Sequence, residues 1–253
     1  MTDFGLQGKV ALVTGGSRGI GASIGGAFAE HGATVILASR KQADLDATAA
    51  AITASGGKAA GMACHVGKSE EVERLFKRIK DDYGKLDVLV NNAATNPYFG
   101  PFIYAPESMY DKTFEINCKG YFLVAQQAAQ LMTNQESGGS VINIASIEGL
   151  SPSPMMGVYS MTKAAVIMMT KVMAKELAGA KVRCNCICPG LTETKFAKVL
   201  IDTPEIYQHY VENAPMGRHA QPEELVGAAL YFASDASSYT TGAVLTCDGG
   251  SSI

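Results

Sequence analysis

Tyr159 and Lys163 stand four residues apart at the start of a helix-like stretch, so on a helix they share one face. An unperturbed tyrosine titrates near pKa ~10 and is a poor base at neutral pH. A cation within a few ångströms favours the phenolate and lowers that value by about 1–3. A tyrosine tuned in this way can accept or return the proton of an alcohol while a hydride moves elsewhere. Ser146 follows the apolar run Ser140–Ala145, where its hydroxyl can bond the oxygen of a carbonyl or alcohol as charge develops on it. Taken alone, a Tyr-x-x-x-Lys pair is common by chance, and a serine after a strand is often a turn or cap residue. The weight comes from their surroundings.

The first apolar run, Lys9–Thr14, passes into Thr14-Gly15-Gly16-Ser17-Arg18-Gly19-Ile20-Gly21, and a helical stretch follows at once. Gly15 permits a tight turn, Gly19 lets the backbone approach a pyrophosphate, and Gly21 lets the helix pack closely on the strand. The helix start then offers free N–H groups and a positive dipole end to phosphates. The spacing is G-x-x-x-G-x-G, and its place directly after the first strand lifts it above a chance triplet. The second run ends Ala38-Ser39-Arg40-Lys41, with no carboxylate to bind the ribose hydroxyls of NAD. Arg40, with Arg18 as a second cation, can instead grip a 2′-phosphate, so the expected cofactor is NADP(H). Each arginine by itself reads equally well as a solvated surface residue.

The elements that must hold these groups alternate along the chain. Strand-like runs fall at Lys9–Thr14, Thr34–Ala38, Ala59–Cys64, Leu86–Asn91, Ser140–Ala145, Val182–Ile187 and Ala243–Thr246. Helical stretches fall between them at Gly19–Glu30, Gln42–Ser55, Ser69–Asp82, Tyr110–Met132, Val158–Leu177 and Pro222–Ser234. This predicts one α/β domain over residues 1–253, a doubly wound, parallel, seven-stranded sheet. Ser69 reads as an N-cap, Gly32 and Gly84 as helix stops, and Pro222 as a helix start. The irregular stretches Thr95–Pro106, Leu150–Gly157 and Leu191–Arg218 follow strand ends, where such a sheet collects ligands.

Composition narrows the function classes. Of 253 residues 47% are hydrophobic and 18% charged, and the formal net charge is −3 with no basic block, which argues against nucleic-acid binding. No apolar run reaches the ~20 residues that span a bilayer. The stretch Met1–Gly8 lacks the regions of a secretory signal, and the C-terminal Ser251-Ser252-Ile253 is not a peroxisomal address, so the cytoplasm is expected. Cys184, Cys186 and Cys188 alternate along one strand, and residues two apart on a strand sit about 6.6–7 Å from each other. That is too extended for three ligands on one zinc ion, so buried thiols and no metal site are expected.

In order along its whole length the chain resembles the short-chain dehydrogenases/reductases. The resemblance is carried by Thr14–Gly21, Asn91-Asn92-Ala93-Ala94, Asn117, Ser146, Tyr159-x-x-x-Lys163, Pro189-Gly190 with Thr194, and Thr241-Gly242 through Asp248-Gly249-Gly250. It implies a catalytic tetrad of Asn117, Ser146, Tyr159 and Lys163. In it Lys163 also holds the nicotinamide ribose and Asn117 supports a water on a proton relay. It further implies a cofactor site formed by Gly15, Ser17, Arg18, Gly19, Ile20, Gly21, Ser39, Arg40, His65, Val66, Asn92, Ala93, Tyr159, Lys163, Pro189, Gly190 and Thr194. Asn91 is implied in bracing the sheet, and Ile187 in gripping the nicotinamide end. Two departures stand out: His65 replaces the usual adenine-binding Asp, and Ala94 replaces a Gly.

Within the family, Ser39-Arg40-Lys41-Gln42, Cys64-His65-Val66-Gly67-Lys68, Asn96-Pro97 with Phe99-Gly100, and Ser151-Pro152-Ser153-Pro154 are similar to the NADPH-dependent carbonyl and retinal reductases typified by the peroxisomal tetrameric enzyme. The implied reaction is reversible reduction of a ketone or aldehyde to an alcohol. Tyr98, Phe99, Pro154, Met155, Met156, Phe196, Leu200, Tyr207 and Met216 would make an apolar pocket for a small hydrophobic carbonyl or alcohol. The helical stretches at Tyr110–Met132 and Val158–Leu177 carry many Ala, Met and Val residues, and the resemblance implies that such surfaces form a helix-bundle interface, so a homotetramer is expected. The competing assignments are a 3-oxoacyl-[acyl-carrier-protein] reductase, which would dock an acidic carrier on Lys195 and Lys198, and a dinucleotide sensor without turnover.

Overall fold

The computed structural model describes residues 4–253, and the first three residues of the Met1–Gly8 stretch lie outside them. Seven parallel strands form one sheet in the order β3-β2-β1-β4-β5-β6-β7: β1 Val10–Thr14, β2 Thr34–Ser39, β3 Lys58–Ala63, β4 Val88–Asn91, β5 Gly139–Ile144, β6 Val182–Pro189 and β7 Val244–Cys247. The helices are α1 Gly19–Glu30, α2 Gln42–Ala54, α3 Ser69–Tyr83, α4 Glu107–Phe114, α5 Tyr121–Met132, α6 Gly157–Leu177, α7 Lys198–Ile201, α8 Pro204–Asn213 and α9 Val226–Ala233. The doubly wound α/β architecture expected from the alternation is the one observed.

Strand residues alternate between two covered faces, as a parallel sheet requires. Val13, Leu37, Val90 and Ile144 pack with Ile24 and Phe28 of α1 and Phe232 of α9. Their neighbours Leu12, Ile36, Leu89 and Val141 pack on the other side with Leu75 and Phe76 of α3 and Val124 and Ala128 of α5. Each such fully buried Leu, Ile or Val is worth roughly 1.5–3 kcal/mol relative to exposure. The register sets Val13 against both Leu37 and Val90, and Asn91 against Asn143. The carboxyl ends of β1, β2, β4 and β5 therefore open on one edge of the sheet. Strand order reverses between β1 and β4, and such a switch point leaves a crevice for ligands.

Several boundaries differ from those expected. The stretch Tyr110–Met132 is not one continuous helix: a wider π turn, Glu115–Gly120, lies between α4 and α5 and carries Asn117. Such insertions recur at functional sites. Ser69 is the first helical residue of α3, and Lys68 occupies the cap with no side-chain hydrogen bond. The irregular Leu191–Arg218 contains α7 and α8, the latter opened by Pro204. Pro222 begins a 3-10 turn, Pro222–Leu225, before α9, closed by reciprocal bonds between Gln221 and Glu224. Gly84 ends α3 at φ +73, the left-handed stop expected of it.

Candidate active site

A cleft of about 1830 Å³ runs along the carboxyl edge of the sheet. Gly15, Ser17, Arg18, Gly19, Ile20, Ser39, Arg40, His65, Val66, Asn92 and Ala93 line one part, and Ser146, Tyr159, Lys163, Pro189, Gly190 and Thr194 also line it. Of the expected catalytic and cofactor residues only Gly21 and Asn117 stand behind its wall. Of the expected apolar pocket, Tyr98, Tyr207 and Met216 do not line it: the Tyr98 hydroxyl is turned to the Pro101 carbonyl and the Tyr207 hydroxyl to His219 Nδ1. Ile187 and Asn91, given supporting roles, are buried in the sheet.

The glycine loop is built to leave room. Gly15 has φ +65, and a Cβ there would meet Asn92 Nδ2 at 2.7 Å. A Cβ on Gly21 would run into the Gly15 carbonyl oxygen. Thr14 ties this loop to the end of β4: its Oγ1 accepts from the N–H groups of Asn92 (2.9 Å) and Ala93 (3.1 Å). Asn92 Nδ2 returns a bond to the Thr14 carbonyl at 2.9 Å. Helix α1 opens with Arg18 at its cap, with no side-chain cap bond and no acidic residue in its first turn, so its N–H groups face the cleft uncompensated. Among the described residues neither the Arg18 nor the Arg40 guanidinium has an ion-pair partner. Farther along, the His65 backbone N–H donates to Glu71 Oε2 at 2.7 Å, and its buried Nδ1 has no partner. A tight glycine turn, an uncapped helix start, unpaired cations and an orphaned buried ring nitrogen fit a dinucleotide.

At the other centre, Tyr159 and Lys163 lie on one face of the first turns of α6, with 7% and 2% of their surfaces exposed. Lys163 Nζ donates to the Ile144 carbonyl (2.8 Å) and to the Tyr121 hydroxyl (3.4 Å), and lies 5.6 Å from the Tyr159 ring centroid. Tyr121 in turn donates to the Ile144 carbonyl at 2.9 Å. Ser146 is held extended just past β5, and its Oγ accepts the Glu148 N–H at 3.2 Å. Asn117 is fully committed: its Oδ1 accepts from Thr95 N–H (2.8 Å), and its Nδ2 donates to the Thr95 carbonyl (2.9 Å) and Thr162 Oγ1 (3.1 Å).

The electrostatics differ from the simple expectation. Burial holds the Tyr159 phenol well above its ordinary range; the Ser146 hydroxyl opposes this and the Glu148 carboxylate adds to it. Burial also brings Lys163 down to about 8. Desolvation disfavours the charged form of each group, and here it is the largest cause of both shifts. The chain by itself thus presents Tyr159 as a protonated phenol, a proton donor. Cys186 and Cys188 share a face of β6 with their Sγ atoms 3.9 Å apart, and the hydrogen bond between them, together with burial, pushes the Cys186 thiol up.

Sequence reasoning missed Tyr121 and Glu148. Tyr121 lies four residues after Asn117, but in an apolar stretch where a tyrosine passes for core. Glu148 is a lone charge two residues after Ser146, a signal that was there to be read.

The family model described as Enoyl-(Acyl carrier protein) reductase matches residues 15–252. The chain is 38% identical over 245 residues to human Dehydrogenase/reductase SDR family member 4, covering 97% of this chain and 88% of that protein. It is similar to a solved short-chain type dehydrogenase/reductase from Mycobacterium marinum, with TM-score 0.94 and 36% identity over 99% of this chain and 98% of that one. A gluconate 5-dehydrogenase from Burkholderia cenocepacia J2315, solved in complex with NADP and tartrate, gives TM-score 0.94 and 31% identity over 98% and 96% of the two chains.

Proposed function

The chain belongs to the short-chain dehydrogenase/reductase family of oxidoreductases, and we propose that it is an NADPH-dependent reductase of small apolar ketones and aldehydes, acting as one domain over residues 1–253. The observation that carries this is the pairing of a buried Tyr159 with Lys163 and Ser146 in the same cleft as Arg18 and Arg40, neither of which has an ion-pair partner among the described residues. When bound, NADPH would supply the hydride. Arg40 and Arg18 would hold its 2′-phosphate, and the α1 start with Ser17, Gly19 and Ile20 would hold the pyrophosphate. Ser39, His65 and Val66 would receive the adenosine end and Asn92 and Ala93 the middle of the cofactor. Pro189, Gly190 and Thr194, backed by Ile187, would hold the nicotinamide end.

Ser146 donates a hydrogen bond to the substrate oxygen, and Tyr159 gives that oxygen its proton as negative charge develops on it. Lys163 stabilises the phenolate left behind and would hold the cofactor's ribose, and Asn117, bonded to Thr95 and Thr162, steadies the π turn beside which a relay water would be held. Phe196, whose ring centroid is 5.6 Å from that of Tyr159, and Phe99, Leu200, Met155 and Met156 give the substrate end an apolar surface.

The mouth of the cleft gives little support to an acidic carrier protein. Lys198 is paired with Asp202 at 2.8 Å, and Glu193, Asp202 and Glu205 share the lining with Lys195. Purified protein is therefore expected to oxidise NADPH with aromatic and aliphatic ketones, and slowly or not at all with 3-oxoacyl thioesters. Spectrophotometry across such a panel checks this. Cofactor consumption on no carbonyl would leave a sensor as the better assignment.

We also propose a homotetramer located in the cytoplasm. Phe122 of α5 and Met161, Met168 and Val172 of α6 are exposed apolar residues on the same pair of helices, a surface that a second copy would cover. Sedimentation should show a species of four chains, and Phe122→Glu with Met168→Glu should reduce it to smaller ones; a monomeric wild type would exclude the tetramer. Six free cysteines suit a reducing compartment. Among the described residues no helix is long and apolar enough to cross a membrane.

A further inference from the structure

Glu148 gives and takes no proton in the step just described, although its charge helps to keep the Tyr159 phenol protonated, and it is among the most heavily bonded carboxylates of the cleft. It sits in the single 3-10 turn Ile147–Gly149 after Ser146. Its Oε2 accepts from the Ser153 backbone N–H (2.9 Å) and from the Ser160 hydroxyl (2.9 Å). Its Oε1 accepts from the Ser153 hydroxyl at 2.6 Å. Ser160 adjoins Tyr159 in the first turn of α6. Ser153 is in the middle of the loop Ser151–Met156, and every residue of that loop lines the cleft. One side chain thus joins three segments: the turn that carries Ser146, the substrate-side loop, and the start of the helix that carries Tyr159.

The far end of the loop has separate ties. The Gly100 N–H donates to the Met155 carbonyl at 3.0 Å, and Asn96 Nδ2 approaches Met156 Sδ at 3.4 Å. Between the two sets of ties Met155 takes φ +69, a left-handed conformation that side chains other than glycine adopt at a cost. An unrestrained loop would relax out of it. Held there, Met155 stays partly exposed in the cleft, available to touch a substrate.

We propose that Glu148 is a positioning residue: its carboxylate clasps the loop Ser151–Met156 to the first turn of α6 and so fixes Met155 and Met156 as the wall that receives the substrate beside Tyr159. The kinetic consequence rests on the reductase assignment, whereas the clasp itself does not. Glutamine at this position keeps an oxygen for the Ser153 N–H and can donate to a serine hydroxyl, because hydroxyls both give and accept. Alanine keeps neither.

The test compares wild type, Glu148→Ala and Glu148→Gln by two readouts. In cofactor-free protein, hydrogen–deuterium exchange in the segment 150–157 should be at least about tenfold faster in Glu148→Ala and near wild type in Glu148→Gln. With NADPH and a bulky ketone, Glu148→Ala should raise KM about tenfold while kcat changes by less than about threefold, and Glu148→Gln should recover most of the KM. Wild-type exchange and KM in Glu148→Ala would overturn the clasp. So would a Glu148→Gln protein as impaired as Glu148→Ala, since charge and not attachment would then be what matters. If the wild type turns over no carbonyl, the reductase assignment fails and the exchange experiment alone decides the clasp.

Discussion

Tyr159→Phe is expected to lower kcat/KM for ketone reduction about 10³-fold, within the range by which a positioned proton donor speeds such reactions. NADPH binding, followed by cofactor fluorescence or calorimetry, should stay nearly intact. Phenylalanine occupies the same buried volume and keeps the packing against Phe196, so only the hydroxyl is lost. The Ser146 hydroxyl would still face the substrate oxygen, but no group would complete the alcohol. Turnover within tenfold of wild type would mean that the proton comes from elsewhere. The wild-type pH profile follows from the same geometry. Reduction needs Tyr159 protonated and Lys163 charged, and burial favours the first and works against the second. The rate should therefore hold through neutrality and fall as pH rises through about 8, where Lys163 loses its proton. A profile flat well beyond that point would place the lysine outside the chemistry.

The division between what the sequence made legible and what it did not follows the range of the interactions. Strand runs and the glycine loop are local patterns, and they appear where the alternation put them. The π turn at Glu115–Gly120 is different. Tyr121, Val124, Ala128 and Met132 keep helical steps of three or four, the five-residue step from Ile116 to Tyr121 is the one trace of the inserted residue, and no proline or cap accompanies it. Helix α8 does carry a helical pattern in Ile206, Tyr207, Tyr210 and Val211 after Pro204, but it is only ten residues long, none of them fully buried, and it lies in a stretch read as irregular throughout. In the site, Tyr159, Lys163 and Ser146 were readable from spacing. Tyr121 was not, because its role comes from Ile144, 23 residues away, and Lys163, 42 residues away. Desolvation was equally invisible. Spacing shows that a lysine can reach a tyrosine, whereas only the packed structure shows that both are stripped of water.

Arg40→Asp should reverse the cofactor preference, weakening NADPH about 100-fold, the equivalent of about 2.7 kcal/mol, while NADH is held or improved. The direction comes from charge. A guanidinium bonded to a phosphate contributes roughly 1.5–3 kcal/mol through charge-assisted bonds, and an aspartate in its place repels the 2′-phosphate but accepts the ribose hydroxyls. Arg18→Ala should do less, because the α1 N–H groups remain at the glycine loop. The measurement is the ratio of kcat/KM with NADPH to that with NADH, alongside direct binding of each cofactor. Arg40 suits this test because it is exposed and has no ion-pair partner among the described residues. Substitution there should leave the melting temperature near wild type, as exposed sites away from packing usually change stability by no more than about 0.5 kcal/mol. Any change in selectivity is then recognition of the phosphate and not damage to the fold. An equal loss of both cofactors would show that Arg40 does not read the 2′ position, and the NADPH assignment would have to stand without it.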